Sequence, residues 1–230
     1  MRYAIVLASG SGKRMKSSVK KQFIPLMDKP LLFYALKAFK ESSTDKIVIA
    51  TTKEDIDYVR TQIVDKYGIS KVVSIVEGGK ERYNSVMNAL CEIEDGIVAI
   101  HDGARPFIEP SVIDETFEAA LAGEGASVCA VRVKDTIKRA TDNLNIDVTI
   151  PRDNLWQIQT PQTFDVKQLK EAYRIICEKD ELSKVTDDSM VWEYAYPKKP
   201  VKIVESSYFN IKVTTPEDLV FAGAILGQKK

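Results

Sequence analysis

Short runs of β-branched residues alternate with amphipathic stretches through the first half of the chain. Residues 3–7, 46–51, 72–76 and 96–101 are rich in Val and Ile and bounded by turn residues, which predicts buried strands. Between them, residues 31–40, 55–66, 84–93 and 111–122 carry apolar side chains at helical spacing. Thr52 with Asp55, and Ser111 with Asp114, stand three positions apart and predict N-terminal caps for the second and fourth helices. This alternation implies an α/β fold with a mostly parallel central sheet, helices on both faces and ligands at the C-terminal ends of the strands.

The rhythm changes after residues 127–133. Residues 134–150 alternate charged and apolar side chains around Asp142-Asn143-Leu144-Asn145, which predicts a β-hairpin with an Asx-rich turn. A lone two-stranded hairpin is marginal in water. This projecting arm, at about 134–152, therefore packs either on a second copy of the chain or back on its own domain, and spacing does not separate the two. No repeat, low-complexity segment or Gly/Ser/Pro-rich linker interrupts the 230 residues, so a single domain over 1–230 is expected.

Charge and composition narrow the function. The 33 Lys+Arg balance 33 Asp+Glu, which removes the simplest argument for binding nucleic acid or an anionic membrane. No apolar run approaches the ~20 residues of a membrane span, and the first apolar stretch is too short for a signal peptide. Cys91, Cys129 and Cys177 are odd in number and widely spaced, which fits small buried groups in a reducing cytoplasm rather than a disulfide framework. The single histidine, His101, leaves little for a zinc site or a His-based relay. On a continuing strand it points away from its neighbour Asp102, so it reads as a hydrogen-bonded structural residue.

The neutral average hides an uneven distribution. Residues 1–27 contain Arg2, Lys13, Arg14, Lys16, Lys20 and Lys21 and no acid. Most of these surround Leu7-Ala8-Ser9-Gly10-Ser11-Gly12-Lys13-Arg14-Met15, directly after the first strand. Small residues there let backbone N–H groups approach phosphate oxygens, and Arg and Lys supply a planar fork and point charges, so the loop suits a polyphosphate. It is not a Walker A loop, because Leu7 and Arg14 occupy the positions of its first Gly and its Ser/Thr. Nor is it a dinucleotide fingerprint: Met15 stands at the third small position, and residues 17–25 are cationic and irregular.

The segment 8–15 followed by Lys21-Gln22 resembles the signature of sugar- and polyol-phosphate nucleotidyltransferases. Further motifs follow in order: Glu77-Gly78-Gly79-Lys80-Glu81-Arg82, Ser85-Val86, His101-Asp102-Gly103-Ala104-Arg105-Pro106 and Lys134-Asp135-Thr136-Ile137-Lys138. Thr160-Pro161-Gln162, Thr186-Asp187-Asp188 and Asn210-Ile211-Lys212-Val213-Thr214 complete the set. Together they resemble the 2-C-methyl-D-erythritol 4-phosphate cytidylyltransferases, from about residue 3 to 224. The resemblance implies a Rossmann-like nucleotidyltransferase fold, a homodimer joined through the hairpin arm, and transfer of a cytidylyl group from CTP to a polyol phosphate.

It also implies residue roles. Ala8, Ser9, Gly10, Gly12, Gly79, Arg82, Ser85 and Asp102 would hold the nucleotide. Arg14, Lys21 and Lys212 would stabilise charge on the reacting phosphates, and Asp102 would bind Mg2+ or another hard divalent cation. Arg105, which would support the Asp102 loop, and Thr136, Arg152 and Thr160 would serve the polyol phosphate, Thr136 and Arg152 in the partner's active site. Ser9, Gly103 and Trp192 depart from the family's usual residues, and none removes a charge the chemistry needs. Trp156 and Trp192 read as core or interface anchors, and Asp187 and Asp188, with Thr186, as caps of the helix that follows. Two other readings compete: a ribitol-5-phosphate cytidylyltransferase, which shares the fold and the loop, and a non-catalytic nucleotide-binding module.

Overall fold

The structure, a computed structural model, describes residues 1–10, 12–15, 19–179 and 181–228. The first half runs β1 (Arg2–Leu7), β2 (Pro25–Leu26), β3 (Lys29–Pro30), α1 (Leu31–Glu41), β4 (Lys46–Thr51), α2 (Ile56–Tyr58), β5 (Val72–Glu77), α3 (Arg82–Leu90), β6 (Ile97–Asp102) and α4 (Pro110–Ala122). The second half adds β7 (Ala126–Arg132), β8 (Ile137–Ala140), β9 (Ile146–Ile150), β10 (Trp156–Asp165), α5 (Val166–Glu178), α6 (Asp188–Ala195), β11 (Lys202–Glu205) and α7 (Pro216–Gln228).

Seven strands form one sheet in the order β11-β7-β10-β6-β1-β4-β5. All its pairings are parallel except those of β10, which runs antiparallel to both β6 and β7. Strand alternation splits the core between the two faces. Ala4 and Val6 of β1 pack with Leu36, Phe39 and Phe117 from α1 and α4, whereas Ile5 between them packs with Val86, Leu169, Tyr173 and Trp192 from α3, α5 and α6. A third cluster, including Leu31, Phe107, Val213 and Ala222, seats α7 beside the loop after β6.

Several expectations change. The second helix begins as α2 and widens into a π-helical segment, Val59–Asp65. Thr52 does not cap it; its hydroxyl donates to Asp55 Oδ2 at 2.8 Å, the same oxygen that takes Lys20 Nζ at 2.6 Å. Pro110, whose missing N–H suits a first helical position, starts α4 one residue ahead of Ser111. Asp114 instead accepts the Ser43 amide at 2.8 Å and hydroxyl at 2.7 Å. Cys129 alone is buried, which pushes its thiol up to about 12, while Cys91 and Cys177 are exposed. Trp192 is fully buried; Trp156 is half-buried, with the Arg132 guanidinium 4.5 Å from its ring centre.

The hairpin forms from β8 and β9 as a separate antiparallel pair. Every residue from 134 to 149 is exposed, so the arm stands clear of the core. Its base is fastened: Lys134 Nζ lies 3.3 Å from the centre of the Tyr208 ring, the Tyr208 hydroxyl donates to Arg132 O at 2.7 Å, and Arg152 donates to Lys134 O. No helix among the described residues is long and apolar enough to cross a membrane.

Candidate active site

A cavity of about 360 Å³ opens at the C-terminal ends of β1 and β6. Its walls include Ala8, Ser9, Gly10, Lys21, Gly79, Arg82, Ser85, Asp102 and Lys212. A more voluminous depression of about 840 Å³ beside α1 mixes Lys29 and Lys37 with Asp28 and Glu41, and so gathers no single charge for an anion.

Close backbone packing shapes the glycine-rich side of the smaller cavity. The Gly78 amide donates to Thr51 O at 2.6 Å, and a Cβ on Gly78 would come within 2.6 Å of Ser9 Cβ and 2.9 Å of Ser85 Oγ. Ser85 Oγ accepts the Gly79 amide at 3.0 Å and lies 3.0 Å from Ser9 Oγ, tying the two loops together. Gly12 has φ +60°, and a Cβ there would meet Lys21 Cβ at 2.9 Å. Glycine therefore lets the chain turn and lets Lys21 close over it. Ser11, Lys16, Ser17 and Ser18 of this loop lie outside the described residues.

Asp102 sits at the centre of the charges. Its Oδ2 pairs with Lys212 Nζ at 2.7 Å, and its Oδ1 lies 3.5 Å from Arg82 Nε. Burial pushes the carboxyl up, but Arg82, Lys212 and Arg105 outweigh it and hold Asp102 well below the usual carboxylate range. Burial lowers the Lys21 ammonium to about 8, helped by the charges of Lys212 and Arg14 and opposed by Asp102. The same cavity thus holds Lys21, Arg82 and Lys212 around one carboxylate.

Lys212 is fixed by its neighbours. Asn210 Nδ2 donates to Gln159 Oε1 at 2.9 Å and Thr160 O at 3.1 Å, and the buried Val213 donates its amide to Ala104 O at 2.8 Å. Asp218 of α7 accepts the amides of Thr214 at 2.7 Å and Thr215 at 2.9 Å. A lysine that looks like an ordinary surface residue in sequence is thereby carried to Asp102 by a rigid loop.

Behind Asp102 lies a buried relay. Arg105 O can only accept, so His101 Nε2, 3.1 Å away, carries the proton and Nδ1 accepts. Nδ1 then takes the Thr160 hydroxyl proton at 3.1 Å, while Thr160 Oγ1 accepts the Asp102 amide at 3.0 Å. His101 is fully buried, and burial lowers it to about 4. Its unfolded value near 6.5 is higher, so the unfolded chain binds the extra proton first as pH falls. Stability from neutral His101 is complete above pH ~6.5 and is lost towards pH ~4, amounting to ~2–3 kcal/mol by pH ~4.5. Urea unfolding at pH 7.5 and 4.5 should show this loss in the natural protein, and a clearly smaller one in His101→Gln.

The other expected residues fall in three places. Arg14 is exposed on a short 3₁₀ turn, Lys13–Met15, near enough to act on the Lys21 charge. Arg105 and Thr160 do not line the cavity: Arg105 Nη1 donates to Asn210 O at 2.8 Å, and the Thr160 hydroxyl is engaged in the relay. Thr136 and Arg152 are exposed at the arm. Gln22, Lys80, Glu81 and Ala104 line the cavity without having been singled out by residue type. Of the expected caps, Asp187 does cap α6, accepting the Met190 amide at 2.9 Å, whereas Asp188 turns inward to Arg82.

The family model for 2-C-methyl-D-erythritol 4-phosphate cytidylyltransferase matches residues 3–228. The chain belongs to this cytidylyltransferase family. Among its relatives of that name, the protein of Lachnoclostridium phytofermentans is 46% identical over 224 residues, covering 97% of this chain and 95% of the relative. That of Lachnospira eligens is 47% identical over 228 residues, covering 98% and 99%. The crystal structure of 4-diphosphocytidyl-2C-methyl-D-erythritol synthase from Anaerococcus prevotii superposes with a TM-score of 0.84 at 33% identity, covering 98% of this chain and 96% of that one. In this member of the cytidylyltransferase family, the cations of the cavity converge on Asp102.

Proposed function

We propose that the protein transfers CMP from CTP to 2-C-methyl-D-erythritol 4-phosphate, forming CDP-methylerythritol and releasing pyrophosphate. The observation that carries this reading is the convergence of Lys21, Arg82 and Lys212 around Asp102 at the C-terminal ends of the central strands. The attacking group is a phosphate monoester, whose second pKa of ~6 leaves it largely ionised at neutral pH, so no general base is needed. The barrier lies in bringing anions together and in the charge that builds on the α-phosphorus, and positioned cations lower both. Ala8, Ser9, Gly10, Gly79 and Ser85 hold the nucleotide, Gly12 supports the loop, and Arg82 meets the triphosphate. Lys21, Lys212 and Arg14 stabilise the transferring phosphoryl group.

Asp102 suits Mg2+ or another hard divalent cation. Among the described residues, its Oδ1 has only the distant Arg82 Nε as a charge partner, and no cluster of three metal-binding side chains exists. That donor set fits an ion shared with phosphate oxygens rather than a cage made by protein alone. When bound, such an ion neutralises phosphate charge.

The arm supports a homodimer in which Thr136 and Arg152 enter the partner's site. β10 contacts Asp102 at Thr160, and its N-terminal part continues past the end of β6 to Trp156, carrying the arm's base beyond the β6 terminus. Exposed Ile137, Leu144, Ile146 and Val148 give the arm an apolar surface suited to a second copy. Arg152→Ala should raise the KM for the polyol phosphate at least tenfold and that for CTP much less. At a polyol-phosphate concentration far below the raised KM, where Arg152→Ala and Lys21→Ala each turn over poorly, mixing equal amounts of the two with subunit exchange should restore about a quarter of normal activity through mixed dimers. A mixture that stays inactive overturns the cross-subunit role.

This reading includes a cytoplasmic location and no nucleic-acid or membrane partner, and the charged, water-soluble substrates and the balanced net charge support it. Pyrophosphate release with CTP and each polyol phosphate tests the whole reading. Turnover with ribitol 5-phosphate alone would replace the acceptor, and nucleotide binding without turnover on either would favour the binding module.

A further inference from the structure

Asp188, the first residue of α6, is completely buried, yet it is a carboxylate. Its Oδ2 lies 2.7 Å from Arg82 Nη2, and its Oδ1 accepts the hydroxyl of the buried Tyr173 at 2.6 Å. The α6 N-terminus adds partial positive charge. The helix is anchored to β10 as well, because Gln162 Oε1 accepts the Ser189 amide at 3.0 Å and Gln162 Nε2 donates to Asp187 Oδ2 at 2.9 Å. An isolated carboxylate at such a depth is strongly disfavoured, and a close opposite charge offsets much of that penalty. Arg82 is that partner, and burial of its own charge is outweighed by Asp188 and Asp102, so it stays protonated.

The arrangement around Arg82 is asymmetric. Its guanidinium is tight on Asp188 and loose on Asp102, at 2.7 and 3.5 Å. Asp102 and Arg82 line the cavity, but Asp188 and Tyr173 do not. A ligand therefore meets the guanidinium without meeting the carboxylate that holds it. With Asp188 removed, Asp102 would be the carboxylate left beside Arg82, and the guanidinium would close on it. We propose that Asp188, supported by Tyr173, is a positioning residue that holds Arg82 back from Asp102 and presents it to the triphosphate. This rests on the reading above that Arg82 binds the nucleotide.

Asp188→Asn tests it, because the amide keeps the shape and the Tyr173 contact but turns a donor toward Arg82. Calorimetric titration with CTP should show affinity reduced about ten- to a hundredfold, with melting and the KM for the polyol phosphate much less affected. In an Arg82→Ala background the same change should alter CTP affinity less than about twofold, since the residue it acts through is gone. Tyr173→Phe, which leaves the carboxylate in place, should give a smaller loss of about threefold, also abolished by Arg82→Ala, and decides the matter if Asp188→Asn does not fold. Independent, multiplying losses overturn the proposal, as does normal CTP affinity in Asp188→Asn when Arg82→Ala binds poorly. If Arg82→Ala itself binds CTP normally, the nucleotide role of Arg82 fails first and the positioning role falls with it.

Discussion

Asp102→Asn is expected to lower turnover about a thousandfold at saturating CTP and polyol phosphate, equivalent to ~4 kcal/mol of transition-state stabilisation. The carboxylate holds Lys212 at 2.7 Å and faces Arg82, and its charge is maintained at every working pH because these cations outweigh the effect of burial. The amide is nearly isosteric, but it leaves Lys212 without its anion and turns a donor toward one of two cations. It also lowers the negative charge available to a hard metal ion. Pyrophosphate release measures the loss, and a melting curve separates it from unfolding. Activity within tenfold of normal would remove Asp102 from the centre of the reaction.

Lys21→Ala should lower kcat about a hundred- to a thousandfold, the range found when a charge-stabilising donor is removed from an enclosed site. Gly12 lets the loop fold closely against Lys21, which lines the cavity. The pH profile provides a second readout. Burial and the neighbouring Lys212 and Arg14 charges lower the ammonium to about 8. The protonated form is the active one, so kcat/KM for CTP should fall above pH ~8, approaching tenfold per pH unit, since this ratio reports the free enzyme. Lys21→Arg keeps its charge at all accessible pH and should abolish that alkaline limb, whatever its absolute rate. An unchanged limb in the arginine variant would assign it to another group.

The helices of the first half were legible because each buries a periodic apolar face against one side of the sheet, and the strands because their Val/Ile-rich runs feed both faces. β10 was harder to read: its Gln159, Thr160, Gln162 and Thr163 are polar but buried, and their hydrogen bonds rather than hydropathy hold them there. The failed caps have a similar cause. Asp55 is claimed by Lys20 and Asp114 by Ser43, partners remote in sequence that local spacing cannot reveal. The cation-rich loop announced a phosphate site by composition, yet Asp188 looked like a cap because its partner Arg82 lies on another helix. The one histidine gave the opposite lesson: strand alternation placed it behind Asp102, where the relay lies.

The register at the arm's root has an architectural consequence. Arg132 and Trp156 face one another as paired residues of adjacent antiparallel strands, and Val133 still donates to Leu155 O at 3.1 Å. The sheet is thus already closed at that point, and a two-residue Asn-Gly turn would complete the connection as well as the 21 intervening residues do topologically. What lies beyond is a separate antiparallel pair whose length the seven-stranded sheet does not dictate. On the proposed function, residues that reach the acceptor can therefore change without disturbing the strands that carry the nucleotide loop.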